Sequence, residues 1–91
     1  DKGWLANFIR QESARKHGTM VILQKLRQKG VPEGLMDDAI GLLEKEMPEE
    51  QIAKLIETRY RKYDLKDSRQ REKAIAALMR RGYRYEDIKE V

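Results

Sequence analysis

Residues 68–91 read SRQREKAIAALMRRGYRYEDIKEV, and the periodicity of this stretch decides the fold of the chain. Ile75, Leu78 and Met79 stand at positions i, i+3 and i+4, which is the spacing of one face of an α-helix. Three cations fall on the opposite face of the same helix: Arg69, Lys73 and Arg80. Gly82 follows, as glycine commonly does where a helix ends. The stretch therefore predicts a basic amphipathic helix that buries one face and offers the other to solvent or to a partner.

A weaker copy of this pattern lies 52 positions earlier, where residues 22–31 read ILQKLRQKGV. The offset aligns Leu26 with Leu78, and it aligns Gly30 with Gly82. Each copy is an apolar helix that is stopped by a basic residue and a glycine. Because a helix pair alone cannot bury such stripes, we expect repeats that stack on one another.

Length and composition limit the function classes. A chain of 91 residues forms one small domain or two packed repeats, with little room for an internal active-site cavity. It has no cysteine, which excludes disulfides, thiolate metal sites and cysteine nucleophiles. No apolar run approaches the ~20 residues that span a bilayer, and we expect no signal segment. These features predict a soluble, cytoplasmic protein without a membrane partner.

The charge of the chain is unevenly distributed. Lys and Arg number 20 against 16 Asp and Glu, and positions 59–84 hold ten of the basic residues with only three acidic ones. Such a patch attracts nucleic acid, an acidic protein surface or an anionic membrane. The alternative is a solvated helical surface, which is common in chains that are 40% charged.

Three helices are expected in the first half of the chain. Asp1 is placed as the N-cap of the first helix, and Gly18 as the left-handed residue that follows it. Thr19 is placed as the N-cap of the second helix, which ends at Gly30, and the third helix begins near Pro32. The apolar stripes of these helices comprise Trp4, Leu5, Phe8, Ile9, Ile22, Leu23, Leu26, Leu35, Met36, Ala39, Ile40 and Leu43.

Three more helices are expected in the second half. Pro48 begins the fourth helix, and Asp67 with Gln70 resembles a capping box before the fifth. A short sixth helix follows, in which we expect Tyr83 to pack against the glycine stop and Tyr85 to be exposed. The apolar stripe of the fourth helix comprises Ile52, Leu55, Ile56, Tyr60 and Tyr63. No long period-two alternation occurs, so we predict an all-α fold in which two tandem three-helix repeats, residues 1–46 and 47–91, stack into an elongated array.

The sequence offers little for catalysis. His17 lies at a helix end with no spacing to carboxylates that suggests a metal site, and we interpret it as a partner of the helix dipole. Asp37 and Asp38 are adjacent on one helix, where neighbouring side chains point about 100° apart and do not converge. No glycine-rich phosphate loop is present. We therefore expect no enzyme activity, no catalytic residue, no metal site, no cofactor and no small-molecule substrate.

Two segments resemble a known family. Residues 4–10 read WLANFIR, residues 15–18 read RKHG, and the ILQKLRQKGV segment follows; together they resemble the middle repeat of the RecX family, which modulates the RecA recombinase. The later patterns RKY, REK and LMRRGY, with Tyr85 and Ile88 behind them, look like the last repeat of that family. The resemblance implies a protein of three tandem three-helix repeats, of which the first would be absent here. It also implies no catalysis, but binding to the RecA filament on DNA that restrains ATP hydrolysis, strand exchange and coprotease function.

The basic face is the predicted binding surface, with RecA filament, DNA or both as partner. We assign it from helical geometry, since the resemblance supplies no short interaction motif. The predicted residues are Lys25, Lys29, Arg61, Lys62, Arg69, Lys73, Arg80 and Arg81. Two alternatives remain open at this point: a stand-alone nucleic-acid-binding domain that uses its helices like a helix-turn-helix, and a structural repeat whose basic surface is only solvated.

Overall fold

A computed structural model describes residues 2–91, so the predicted N-cap Asp1 lies outside the described residues. The helices are α1 (Lys2–Ala14), α2 (Thr19–Gln28), α3 (Glu33–Lys45), α4 (Pro48–Thr58), α5 (Ser68–Arg80) and α6 (Tyr85–Ile88). No strand occurs in residues 2–91, which confirms the all-α prediction. The helices form an elongated body of 45 × 18 × 17 Å. Within the same range, no helix has the length and apolar character that crossing a membrane requires.

Helices α1 to α3 form a first unit around one apolar core, in which α3 packs on both α1 and α2. The buried residues of this core are Leu5, Ile9, Ile22, Leu23, Leu26, Met36, Ala39 and Leu43. The expectation for Ile40 was wrong, because it lies at the edge of the α3 stripe and is exposed. Trp4 is also exposed, and its ring stacks on Phe8 at a centroid distance of 5.4 Å.

Helices α4 to α6 form a second unit, in which α6 packs on both α4 and α5. Its buried core consists of Ile52, Leu55, Leu78, Tyr83 and Ile88. Tyr83 is buried and Tyr85 is exposed, as predicted. Met79 is 50% exposed, so its placement on the buried face was wrong. Successive helical residues point about 100° apart, and Leu78 takes the central position that leaves Met79 outside.

The 52-residue offset is visible in the structure. Gly30 and Gly82, which follow α2 and α5, both have positive φ angles, +79° and +100°. Helix α3 begins at Glu33 and α6 begins 52 positions later at Tyr85. The helix pairs α2–α3 and α5–α6 differ in length, because α3 has 13 residues and α6 has four. The two repeats are therefore similar at the glycine turn and at the start of the helix that follows it, but they differ in the length of that helix. The predicted boundary between residues 46 and 47 lies in the connection between α3 and α4 and stays a prediction.

The helix ends show which capping predictions hold. The Asp67 carboxylate accepts a hydrogen bond from the Arg69 amide at 2.9 Å, so Asp67 is the N-cap of α5. Gln70 does not complete the box, since its side-chain oxygen accepts from the Asp64 amide at 2.8 Å. The N-cap of α2 is Gly18 and not Thr19, which is the first helical residue and is buried.

Gly18 is required for a reason other than the predicted left-handed turn. Its φ and ψ are −82° and 171°, an extended conformation open to any residue, whereas the left-handed residue nearby is Lys16 with φ 62°. A Cβ atom on Gly18 would lie 2.2 Å from the Tyr83 amide nitrogen and 2.3 Å from the Gly82 carbonyl carbon. Gly18 is therefore a point where the backbones of the two units touch.

This contact, between residues 16–21 and 81–83, is called the junction. The Gly18 amide donates to the Arg81 carbonyl at 2.7 Å, and the Met20 amide donates to the Gly82 carbonyl at 2.7 Å. A Cβ on Gly82 would lie 2.6 Å from a methyl carbon of Val21. The Arg81 guanidinium adds hydrogen bonds to the Lys16 carbonyl at 3.2 Å and to the Tyr60 hydroxyl at 3.0 Å. The two units are thus joined main chain to main chain.

Candidate functional site

Helix α5 presents the basic face that its sequence predicted. Ala74 and Leu78 are buried against the second unit, and this fixes the rotation of the helix about its axis. Three exposed cations line the opposite side, and we call them the α5 basic face: Arg69, Lys73 and Arg80. Their spacings of four and seven residues keep them in one row. Within residues 2–91 none of the three takes part in an ion pair. The row can therefore attract a polyanion without first giving up an internal partner.

Arg61 and Lys62 lie beyond α4, which ends at Thr58, and not within it as expected. Both side chains are exposed on the connection that leads to α5. The Lys62 ammonium lies 5.3 Å from the centroid of the Tyr63 ring, a cation–π arrangement. These two cations are on the same unit as the α5 basic face and extend the positive surface of that unit.

Lys25 is held inside the first unit. Its ammonium binds the Glu12 carboxylate at 2.5 Å, and the His17 ring nitrogen Nδ1 lies 3.0 Å from the same oxygen. Glu12 is only 5% exposed. Burial acts to raise the pKa of this carboxyl, but the hydrogen bonds and positive charges of Lys25 and His17 outweigh burial and hold the pKa below its usual value. Lys25 therefore compensates a buried charge, and any partner must compete with Glu12 for it.

Sequence reasoning missed Glu12, although a signal was present. Glu12 stands seven positions after Leu5 and three after Ile9, so it lies on the core side of α1. A carboxylate on that side requires a compensating cation, and Lys25 of the neighbouring helix supplies it. Lys29, one turn further along, is exposed, with its ammonium 5.4 Å from the centroid of the Phe8 ring.

Arg81 also differs from the other predicted residues. It is half-buried, and its guanidinium spans the junction through its bonds to the Lys16 carbonyl and the Tyr60 hydroxyl. The predicted residues thus divide into two groups. The exposed ones are Lys29, Arg61, Lys62, Arg69, Lys73 and Arg80, and the internally bonded ones are Lys25 and Arg81. Their role in binding stays a prediction for both groups.

The rest of the described surface offers grooves and no cluster of metal ligands. In residues 2–91 no group of three or more His, Cys, Asp or Glu side chains converges. An apolar groove of about 470 Å³ runs between α5 and α6 and is lined mainly by aliphatic side chains, with Arg71 and Lys89 at its polar positions. This surface can bind through charge and apolar contact.

Known protein domains of similar sequence are also made of three helices. A model of the second three-helix domain of RecX matches residues 6–40, and a model of the third three-helix domain matches residues 46–91. Two proteins named regulatory protein RecX, from Limosilactobacillus reuteri strain DSM 20016 and Limosilactobacillus reuteri subsp. reuteri strain JCM 1112, are each 35% identical to the chain. The similarity covers 99% of this chain and 36% of theirs, so the chain spans about a third of the length of these relatives. No solved structure matches the chain. Since two successive RecX domains match in the order in which their helices occur here, the chain belongs to the RecX family.

Proposed function

We propose that this chain acts as a regulator that binds the RecA filament on DNA and inhibits it. Binding restrains ATP hydrolysis, strand exchange and coprotease activity, and so limits recombination and repair in the cytoplasm. Support comes from membership of the RecX family and from the relatives' name, regulatory protein. The chain contributes binding free energy and no catalysis.

The mechanism is occupancy of the filament. A RecA filament on DNA carries phosphates and acidic protein surface, so a rod with exposed cations is drawn to it over several ångströms of solvent. Once bound, a ligand favours the filament state for which it has the higher affinity and depopulates the others. A bound rod of 45 Å also excludes other molecules from the surface that it covers.

The α5 basic face is the observation that carries this proposal. Its three cations are exposed, in one row and without internal ion pairs in the described chain, while the other face of α5 is fixed in the core. A cation that already has a carboxylate partner, as Lys25 has, gains less from a new one. The α5 basic face is therefore a part of the predicted site that is available to a partner.

Charge reversal of this face tests the proposal. The triple variant Arg69→Glu, Lys73→Glu, Arg80→Glu should fold, because exposed substitutions usually change the free energy of unfolding by within about 0.5 kcal/mol each. Its co-sedimentation with RecA filaments assembled on single-stranded DNA should fall by roughly tenfold or more, since attraction becomes repulsion. The matched control reverses three other exposed cations and changes the net charge equally: Arg10→Glu, Lys45→Glu and Lys54→Glu. The control should retain most of the binding.

Bare DNA separates protein contacts from phosphate contacts. If the α5 basic face binds phosphates, titration of bare DNA at several salt concentrations should show a logarithmic salt slope that shrinks by about one unit for each contact removed. If it binds acidic protein surface, bare-DNA affinity should change little while filament binding is lost. Equal binding to bare DNA and to filaments would favour the stand-alone nucleic-acid-binding domain. Filament binding by the triple variant at the wild-type level would show that this face is only solvated.

A further inference from the structure

We propose that Met20 and Met79 form the apolar centre of a protein-docking surface that spans both units at the junction. The partner it fits is a protein surface that pairs a small apolar patch with carboxylates. The inference rests on the proposed function, because the protein surface of the filament is the partner on which it is tested.

Exposure of the two methionines is the first observation. Met20 of α2 is 54% exposed and Met79 of α5 is 50% exposed, whereas Met36 in the core of the first unit is 4% exposed. Each lies one residue outside its helix's buried stripe, next to a cationic or polar face. An unbranched thioether that projects into water adapts its shape to many partners and loses water when covered.

The junction brings the main chains of these methionines together. The Met20 amide donates to the Gly82 carbonyl at 2.7 Å, and the Gly82 amide donates to the Met79 carbonyl at 2.9 Å. Gly82 thus bonds to both, so the beginning of α2 and the end of α5 are adjacent. The main chain at Met20 therefore lies close to the end of the helix that carries Met79, although 59 positions separate the two methionines in sequence.

Helix geometry places them on equivalent faces. Met20 and Arg27 are seven residues apart on α2, so they share a face of that helix. The 52-residue offset between the units aligns Arg27 with Met79, which puts Met79 on the corresponding face of α5. Met20 on α2 and Met79 on α5 therefore lie on faces that correspond to each other in the alignment of the two units.

Two exposed cations lie on the helices that carry this apolar centre. Arg80 follows Met79 directly and belongs to the α5 basic face, and Arg27 shares the face of Met20; both are exposed. Protein interfaces commonly place a small apolar centre inside a polar or charged rim, and the centre supplies most of the binding free energy. A cationic rim selects a partner with carboxylates. Nucleic acid is a poorer fit, because phosphates gain nothing from a thioether and bases stack on aromatic rings.

Methionine oxidation provides a direct test, since each of the four methionines falls in a different tryptic peptide. The chain is treated briefly with a mild oxidant, alone, with bare single-stranded DNA, or with RecA filaments on that DNA, and sulfoxide formation is measured by mass spectrometry. We expect filaments to slow the oxidation of Met20 and Met79 several-fold, roughly the effect of covering an exposed side chain. Met47, which is 47% exposed on the connection between α3 and α4, should keep its rate and serves as the internal control. Protection of the pair by bare DNA, or equal protection of Met47, would overturn the inference.

A second measurement removes the apolar centre without changing charge. Met20→Gln with Met79→Gln should weaken filament co-sedimentation by roughly tenfold, as loss of an interface centre commonly does, while the salt dependence stays that of the wild type. Met47→Gln should bind like the wild type. If the wild type sediments with filaments and the double variant does so equally well, this inference fails and the proposed function stands. If the wild type does not sediment with filaments at all, the proposed function fails, and the inference fails with it.

Discussion

Replacing Gly18 by alanine should separate the two units while leaving each one helical. The added methyl group would lie 2.2 Å from the Tyr83 amide nitrogen and 2.3 Å from the Gly82 carbonyl carbon. Both are main-chain atoms, so no side-chain rotation relieves the overlap. The conformation of Gly18 is open to alanine, and the whole cost therefore falls on the junction.

The magnitude follows from the hydrogen bonds that must break. Moving the chains apart removes the Gly18 to Arg81 and Met20 to Gly82 main-chain bonds, and it stretches the Arg81 bond to the Lys16 carbonyl. At roughly 1 kcal/mol for each bond, the free energy of unfolding should fall by about 3 kcal/mol. For a chain of this size each 1 kcal/mol lowers Tm by about 4–8 °C, so we expect a decrease of roughly 10–25 °C.

The assay is thermal unfolding followed by circular dichroism, with small-angle scattering of the variant below its transition. Two other Gly→Ala changes are matched controls. Gly41 lies inside α3 with no atom within 4 Å of an added Cβ, so Gly41→Ala should stabilise by about 0.5–1 kcal/mol. Gly30 has the same free space but φ +79°, so Gly30→Ala should cost about 1–2 kcal/mol of backbone strain alone. A Tm for Gly18→Ala within about 2 °C of the wild type would refute the reasoning. An unchanged radius of gyration at that Tm would show that the two units stay joined.

Other consequences of the structure can be measured on the same material. Leu26→Ala and Leu78→Ala should each lower the free energy of unfolding by roughly 2–5 kcal/mol in denaturant titrations, because both side chains are almost fully buried. Met79→Ala should cost under about 0.5 kcal/mol, because Met79 is exposed. Equal effects of all three substitutions would mean that the core is misplaced. The Glu12 pKa is lowered in the fold, so the pairing of Glu12 stabilises the protein at and above the usual carboxyl pKa, and this stabilisation is lost as the pH falls through the folded value. Glu12→Gln should therefore lower the free energy of unfolding at pH 7 by about 1–3 kcal/mol and make it less dependent on pH in the acid range. An unchanged dependence on acid pH would count against the pairing. Burial raises the pKa of Tyr83 to about 12, so ultraviolet titration should show one of the four tyrosines ionising late. The contribution of Tyr83 to the free energy of unfolding should be present below pH 10 and lost toward pH 12. The absence of a late-ionising tyrosine would contradict the burial of Tyr83.

The parts of the fold that depend on local pattern could be predicted from the sequence. Apolar spacing and helix stops are properties of neighbouring residues, and the Gly30 and Gly82 stops and the buried positions of Leu26 and Leu78 agree with the structure. Met79 was misplaced because the spacing i, i+3, i+4 does not show where a stripe ends. That edge is set by the elements packed against α5, which the local pattern does not contain.

Contacts between distant residues could not be predicted in this way. Arg81 binds the carbonyl of Lys16, 65 positions earlier, and this bond converts a presumed surface cation into a structural one. Gly18 suited a turn by sequence, but it is needed because another backbone approaches it. Lys25 was assigned to the binding surface because the local pattern does not show its partner Glu12, which lies on another helix. The α5 basic face was predictable, since helical period alone places its members opposite the core.

A junction made of main-chain atoms has a mechanical consequence. Most side-chain substitutions leave its hydrogen bonds untouched, so surface residues can change freely while the distance and angle between the units stay constant. Under the proposed function, this fixed distance limits which filaments the chain can bind with both units. Both units would contact one helical filament together only at a pitch that matches the distance between them.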